Sequence, residues 1–194
     1  VRESYDLSVV LFAPTGSSLA QGTFSMPSFT GTAPTTIRHM LRRFPPETLE
    51  PGDVIITNDP WQGTGHLFDV NVMRPVFRND KLVAHTLSIT HLPDIGGRGF
   101  SATASQFYEE GLRIPICKLV RAGRLNEDLL EMIENNVRVS GQVIGDLKAN
   151  ITCNEVGGRL LLQFMDEYGI DDLASLSEAI ISQTERAMRE KIAR

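Results

Sequence analysis

Two short motifs of the same form, each a histidine followed three residues later by an aspartate, are best suited to chemistry in this chain. They are His66-Leu-Phe-Asp69 and His91-Leu-Pro-Asp94. Imidazole nitrogens and carboxylate oxygens bind Zn²⁺, Mn²⁺ and Fe²⁺, and two imidazoles with one carboxylate leave positions open for water and substrate. A single pair of this kind is usually a solvated ion pair or a turn cap. The metal hypothesis therefore depends on the presence of two pairs.

A β-hairpin is expected to bring the two motifs together. The chain is rich in apolar residues from 69 to 77 and from 81 to 90, and the polar Arg78-Asn79-Asp80 between them is short enough for a tight turn. Before the first motif, Val54-Ile-Ile is typical of a buried strand, and the turn residues that begin at Asn58 lead from it into a glycine-spaced loop. These elements predict a sheet with both motifs at one end.

The register of the hairpin decides which side chains meet. With the turn at the three polar residues, Asp69 lies across from Thr90, and His66, Asp69 and His91 come together at one end of the ribbon. Pro75 has no N–H to donate, so a bulge that shifts the register by one residue is the alternative.

Other polar residues near the motifs are candidates for catalysis or for support of the ligands. Asp59 and Glu110, or Glu109 beside it, are candidate catalytic carboxylates, and Asn58, Asp94 and Arg98 are candidates for substrate contacts or for a second shell around the metal. Arg98 lies among closely spaced glycines and is suited to a carboxylate or phosphate. Surface carboxylates and a flexible loop are the alternatives.

The remaining patterns predict an α+β chain, with a mixed sheet around the hairpin and a helical last third. Residues 1–125 are expected to form an α/β part that carries the hairpin, and residues 126–194 a helical part that packs on it. Helices are expected to begin near Asn126, Ser140 and Ser177, where apolar side chains recur at helical spacing. Since the chain does not begin with methionine, it is expected to be a fragment of a larger subunit.

The segment before the hairpin is predicted to be mostly irregular. Ser17 to Pro34 is rich in Ser, Thr, Gly and Pro without a period, and a helix is expected only from Thr35 or Thr36. That helix would carry His39 away from the motifs. His85 also lies outside the cluster, some 20 Å along its strand from the second motif at ~3.3 Å per residue.

Composition and charge exclude several classes of function. A net charge of −5 without a basic stripe argues against nucleic acid as a partner. No apolar run approaches the ~18 residues of a membrane span, so no membrane contact is expected. Cys117 and Cys153 form no Cys-x-x-Cys motif and are expected to be buried, reduced thiols in a cytoplasmic protein. ATP binding is not expected in this chain, which has no Walker-type motif.

Several motifs in one order resemble the hydantoinase B family. They are Gly52-Asp-Val, Asn58-Asp59-Pro60, Gly-His66-Leu-x-Asp69-Val, His91-x-x-Asp94-Ile-Gly-Gly97, Tyr108-Glu-Glu110-Gly-Leu-Arg-Ile-Pro115 and Lys118-Leu119. This family includes N-methylhydantoinase B subunits, the C-terminal half of ATP-dependent 5-oxoprolinases and the metal-bearing subunits of acetone and acetophenone carboxylases. The similarity covers nearly the whole chain.

The resemblance implies an enzyme component with a divalent metal, Mn, Zn or Fe, held by His66, Asp69 and His91. It implies that a hydantoinase A-like partner subunit uses ATP to phosphorylate a cyclic amide, whose ring is then opened by hydrolysis. Ketone carboxylation of the acetone carboxylase type is the second expectation, and an inactive structural fragment is the third. Many relatives carry histidines in the segment aligned with Ser25 to Thr30, where this chain has Ser25 and Phe29. This departure concerns the prediction of the substrate class more than that of the metal.

Overall fold

A hairpin of two long strands lies at the centre of a seven-stranded sheet in the computed structural model, which describes residues 5–193. The strands are β1 (Leu7–Phe12), β2 (Ser18–Gln21), β3 (Val54–Thr57), β4 (Asp69–Arg78), β5 (Lys81–His91), β6 (Cys117–Arg121) and β7 (Arg124–Leu125). The helices are α1 (Pro27–Arg43), α2 (Glu127–Asn136), α3 (Ser140–Tyr168) and α4 (Leu173–Ile192). The strand order across the sheet is β2-β1-β5-β4-β3-β6-β7.

The α+β class, with a central hairpin and a helical last third, is confirmed. Each neighbouring pair of strands is antiparallel, where a mixed sheet was expected. A parallel pair needs a crossover between adjacent strands. The helix α1 lies between β2 and β3 in the chain, but these strands are not neighbours in the sheet.

The hairpin turns at Asn79 and Asp80, with φ of 51° and 62°. Positive φ at both central residues is the geometry of a type I′ turn, whose twist matches that of the strands. From the turn to Phe77 the pairing is the predicted one, but the register then shifts between Val76 and Phe77. Val83 is the extra residue, since Val76 pairs with Ala84 and Phe77 with Leu82.

The bulge corrects the predicted pairing of the ligand residues. Asp69 lies opposite His91, and Thr90 pairs with Val70. The pairing of Asp69 with Thr90 was therefore wrong, and the one-residue shift allowed for as the alternative occurs. A bulge inserts one residue in one strand, so that every pair beyond it moves by one position.

Helices cover both faces of the sheet. On one face, α1 packs against β3, β4 and β5 through a cluster of buried apolar residues that includes Ile37, Met40, Ile55, Met73 and Leu87. On the other face, α2 and α3 pack against β3 and β4 through a second cluster that includes Val54, Val70, Ile133, Val143 and Leu147. Helices α2 and α3 thus share their core with the central strands, and the division into two parts at residue 125 stays a prediction.

Helix α1 begins much earlier than the sequence indicated. It starts at Pro27, so the loop predicted from Ser17 to Pro34 was wrong over its second half. Proline suits the first turn of a helix, where its missing N–H has no intrahelical acceptor. Phe29 and Ala33 are buried against the sheet and extend the apolar face of the helix upstream. This packing maintains the helix through Pro34, which lacks one backbone hydrogen bond.

The later helices begin and end close to their predicted positions. Asn126 caps α2 by accepting a hydrogen bond from the N–H of Leu129 at 3.1 Å. Helix α3 ends at Gly169, whose φ of 62° is the left-handed conformation of a helix C-cap. Helix α4 begins at Leu173, earlier than the Ser177 predicted, because Asp172 caps it.

Buried asparagines attach α3 to the hairpin. The Asn154 side chain donates to Ser88 Oγ at 2.7 Å and to the carbonyl oxygen of Val72 at 3.1 Å. Asn150 donates to Thr90 Oγ1 at 2.9 Å. These bonds satisfy polar groups that α3 buries, and they fix the orientation of α3 on the sheet.

The structure bears on the expectations for the cysteines and for membrane-spanning helices. Neither cysteine is in a disulfide, but Cys117 is half-buried and Cys153 is exposed, so the prediction that both are buried was wrong. Within residues 5–193, each helix is too short or too polar to cross a bilayer.

Stability is expected to depend on the protonation of His85. This ring is fully buried, with Nε2 3.2 Å from the carbonyl oxygen of Pro14 and Nδ1 without a hydrogen-bond partner within residues 5–193. Burial lowers the pKa of His85 from 6.5 to about 4, and the bond to Pro14 only partly opposes this. Between these pH values the unfolded chain binds a proton that the folded chain does not.

We expect the contribution of His85 to the free energy of unfolding to fall by about 3 kcal/mol as the pH decreases from 6.5 to 4, and this contribution changes no further below pH 4. The pH series of urea unfolding should be flatter in that window for His85→Gln than for the parent chain. His39 occupies a half-buried position on α1. His39→Gln is the matched control and should keep the slope of the parent. Equal slopes in all three proteins would contradict a neutral, buried His85.

Candidate metal centre

The end of the hairpin brings together His66, Asp69 and His91. Asp69 is the first residue of β4, His91 is the last of β5, and His66 lies in the loop before β4. The two oxygens of the Asp69 carboxylate face different rings: Oδ1 is 3.2 Å from Nδ1 of His91, and Oδ2 is 3.3 Å from Nδ1 of His66. We call these three side chains the trio.

The geometry of the trio fits a divalent cation. One ligand atom from each residue lies within 4.8 Å of the others. Atoms that share a Zn²⁺ ion at about 2.0–2.2 Å must lie within roughly 4 Å of one another, so small rotations of the side chains suffice. His66 Nδ1 is buried and has no well-formed hydrogen bond within residues 5–193, although a carboxylate oxygen is near. An orphaned nitrogen and a carboxylate facing one space are consistent with a cation site.

Asp6 is a further carboxylate beside the trio. Its Oδ2 is 3.7 Å from Nδ1 of His91, and its carbonyl oxygen accepts a hydrogen bond from the N–H of His91 at 3.1 Å. Asp6 immediately precedes β1, which pairs with β5 in the sheet. Sequence reasoning missed this residue, because the pairing of strands that are distant in the chain cannot be deduced from local pattern.

Asn71 and Asp59 hold the loop that carries His66. Thr64 Oγ1 donates to the side-chain oxygen of Asn71 at 2.9 Å. The Asp59 carboxylate accepts from the Trp61 N–H at 3.0 Å and forms an ion pair with Arg113 at 3.0 Å. A side chain at Gly63 would meet Asn71 and the Asp59 backbone at 2.8–3.0 Å, so the chain approaches too closely for any other residue.

Asn58 joins three segments around the site. Its Nδ2 donates to the carbonyl oxygens of Leu67 and Leu112 at 2.7 and 2.9 Å, and its Oδ1 accepts from the N–H of Ile114 at 2.6 Å. The side chain is fully buried, and each of its polar atoms has a backbone partner. Asn58, predicted to contact substrate or to support the ligands, thus fixes the backbone on either side of the site.

Asp94 holds the glycine-rich loop that follows the second motif. Its carboxylate accepts hydrogen bonds from the N–H of Gly96 at 3.0 Å, from the N–H of Arg138 and from Arg138 Nη1 at 2.9 Å. Arg138 also donates to the carbonyl oxygen of Gly97. Burial raises the pKa of Asp94, but these hydrogen bonds and the Arg138 charge outweigh it and hold the pKa below its ordinary value. Sequence reasoning did not identify Arg138 as the partner.

Arg98 and the two glutamates lie farther along this loop. Arg98 Nε is 3.2 Å from the Glu109 carboxylate, which also accepts hydrogen bonds from Ser105. Glu110 is half-buried, and its carboxylate forms no ion pair within the described part of the chain. Within the described residues, no hydrogen bond or ion pair joins Arg98 or Glu110 to the trio, and their roles stay predictions.

Two phenylalanines complete the surroundings of the trio. The buried Phe68 ring stacks on His91, with centroids 5.3 Å apart and an interplanar angle of 12°. The Phe100 ring lies 5.5 Å from both His66 and His91. Neither residue was predicted as part of the site, since nothing in their spacing indicates where the loop carrying Phe100 folds.

Removal of the Asp94 charge should loosen the loop from residue 95 to residue 111. In Asp94→Asn the amide retains one acceptor oxygen and turns an NH₂ group toward N–H donors, so we expect a loss of about 1–3 kcal/mol in unfolding free energy. Hydrogen exchange of the loop amides should increase. The control is Asp166→Asn, which removes an exposed ion pair with Arg78 and should cost under about 1 kcal/mol. Unchanged exchange in the Asp94 variant would show that the backbone contacts alone hold the loop.

Comparison with known proteins identifies relatives of this chain. Over residues 1–194, the sequence matches the family described as Hydantoinase B/oxoprolinase. The chain is 29% identical to a putative D-/L-hydantoinase B component of Pseudomonas sp. strain NS671, over 99% of this chain and 33% of that protein. It is 36% identical to the beta component of the caprolactamase of Pseudomonas jessenii, over 74% of this chain and 25% of that protein. The chain thus spans about a third or less of the length of these relatives.

Solved structures have the same fold. The ATP-dependent caprolactamase of Pseudomonas jessenii superimposes with a TM-score of 0.83 and 31% identity, over 95% of this chain and 32% of that chain. A nucleotide-free acetone carboxylase gives a TM-score of 0.76 at 22% identity, over 89% of this chain and 23% of that chain, and this likeness shows the fold alone. Since the family match covers its full length, the chain belongs to the Hydantoinase B/oxoprolinase family.

Proposed function

We propose that this chain is the metal-bearing part of an ATP-dependent amidohydrolase that opens a cyclic amide. The observation that carries the proposal is the trio of His66, Asp69 and His91 in a member of this family. Hydantoin, 5-oxoproline and caprolactam, the compounds after which the family and its relatives are named, are all cyclic amides. The shared feature of these substrates is a ring amide bond, which we propose as the bond that is hydrolysed.

A divalent cation, Mn, Zn or Fe, would be held by the two imidazoles and the Asp69 carboxylate. Bound there, it supplies Lewis acidity toward a carbonyl oxygen and lowers the pKa of a water molecule. Asp69 lies between both rings and orients them. Asp6 adds negative charge beside His91, which strengthens the attraction of the site for a cation.

Proton transfer requires a carboxylate with free acceptor capacity. Asp59 and Glu110 were the two candidates from sequence. The Asp59 oxygens already accept from Trp61 and Gln62 and pair with Arg113, so this carboxylate is suited to hold the His66 loop. Glu110 is the better proposal for proton transfer, because its carboxylate lacks an ion-pair partner within residues 5–193.

ATP would be used by a partner subunit. The relatives are named as the B or beta component of their enzymes, and the solved caprolactamase is described as ATP-dependent. A hydantoinase A-like partner would transfer the γ-phosphoryl group of ATP to the amide oxygen. A first water would then attack the activated carbon and the C–N bond would break, which leaves an acyl phosphate; a second water would hydrolyse this acyl phosphate and release phosphate. The net reaction converts cyclic amide, ATP and two water molecules into the ring-opened amino acid, ADP and phosphate. A cytoplasmic location accompanies this proposal.

Two alternatives give different experimental outcomes. Ketone carboxylation would use the same fold and metal, but the likeness to acetone carboxylase at 22% identity adds no support for that chemistry. An inactive structural fragment would bind no metal, with the trio joined by hydrogen bonds only.

Metal binding should depend on both histidines of the trio. After loading with Mn²⁺ or Zn²⁺ and removal of free metal, elemental analysis should find about one ion per parent chain and far less in His66→Ala and His91→Ala. Asp6→Asn should weaken binding roughly tenfold to a hundredfold, as expected of a residue that supports a ligand. His39→Ala is the control and should bind like the parent. Absence of metal in a folded parent chain would favour the structural-fragment alternative.

Activity should require metal, ATP and a partner subunit together. We expect ring-opened product from hydantoin, 5-oxoproline or caprolactam when the subunit containing this chain is combined with the ATP-using subunit that copurifies with it. Product should form with stoichiometric ADP and be lost on chelation of the metal or in His91→Ala. Incorporation of labelled bicarbonate into a ketone, without amide hydrolysis, would instead support the carboxylase alternative.

A further inference from the structure

Phe100 is an exposed apolar ring beside the polar groups of the trio. Its centroid lies 5.5 Å from His66, 5.5 Å from His91 and 5.6 Å from Phe68, yet 75% of the residue is exposed to solvent. Resting on the proposed function, we propose that Phe100 forms an apolar wall of the substrate site at the trio. The site would then prefer substrates that carry an apolar ring or chain next to the group that is hydrolysed.

The other three rings differ from Phe100 in burial. Phe68 is buried beneath the histidines, and His66 and His91 are half-buried. All four centroids lie 5.1–6.0 Å from one another, so Phe100 closes the solvent side of a compact group of rings. A ligand bound at the trio would remove part of the Phe100 ring from water, which is the usual arrangement of binding sites with a few polar groups among apolar walls.

The backbone immediately before Phe100 is held by contacts with the segment from Glu109 to Gly111. The N–H of Arg98 donates to the carbonyl oxygen of Glu109 at 2.9 Å, and the Arg98 side chain pairs with the carboxylate of the same residue. A side chain at Gly97 would lie 2.5 Å from backbone atoms of Glu109 and Gly111, so the two halves of the loop are in direct contact. Gly99, immediately before Phe100, has a φ of 79°, a backbone conformation that favours glycine.

Two small hydroxamates that differ only in their apolar group test the proposal. Acetohydroxamate and benzohydroxamate bind a metal through the same oxygens, but one carries a methyl group and the other a phenyl group. Their affinities for the Co²⁺-loaded chain can be measured from the visible absorption of the ion. We expect benzohydroxamate to bind more tightly. Phe100→Ala should weaken it about fivefold to tenfold, the range of an aromatic contact, and change acetohydroxamate less than twofold.

Matched variants separate this effect from general damage to the loop. Tyr108→Ala removes another ring from the same loop, 83% exposed and in contact with Phe107, and should change neither affinity. Phe100→Trp should retain the preference for the phenyl probe. Equal weakening of both probes in Phe100→Ala would overturn the proposal, as would no weakening of either. If the parent fails to bind Co²⁺, the proposed metal site fails and this inference with it, whereas Co²⁺ binding without the phenyl preference overturns the inference alone.

Discussion

The carboxylate of Asp69 is the group around which this end of the sheet is arranged. Only 5% of its side chain is exposed, and each of its oxygens faces an imidazole nitrogen. An anion buried without compensation costs several kcal/mol, so about that much stability depends on what lies beside it. His66 and His91 lie against it, and the cation that we propose at the trio would provide further compensation. The hairpin, the loop before β4 and the start of β1 all converge on this one charge.

Around the trio, polar side chains are used mainly to hold backbone. Asn58 bonds to three backbone segments, and Asp94 bonds to the N–H groups of Gly96 and Arg138. Side chains that must be held within a fraction of an ångström need such support, because the loops around the end of the hairpin have no regular structure of their own. The loops are therefore suited to carry different substrate contacts without movement of the trio.

The sequence predicted the hairpin, its turn and the identity of the trio, because strand periodicity and turn chemistry are local signals. The register was wrong by one position, since the bulge at Val83 depends on how the strands twist and pack and not on a local motif. Asp6 and Phe100 were missed for a related reason. One reaches the site through pairing of β1 with β5, and the other through the conformation of an irregular loop.

The pairing of β1 with β5 also bears on how the chain folds. Asp6 and His91 come from distant parts of the sequence, whereas Asp69 and His91 belong to one hairpin. Closing the longer loop costs more chain entropy, so the hairpin is expected to form before β1 docks on it. A cation that needs the docked arrangement would then slow unfolding and leave the folding rate nearly unchanged. Stopped-flow rates with and without metal would reveal the order, and a faster folding rate with metal would mean that the ion binds the hairpin first.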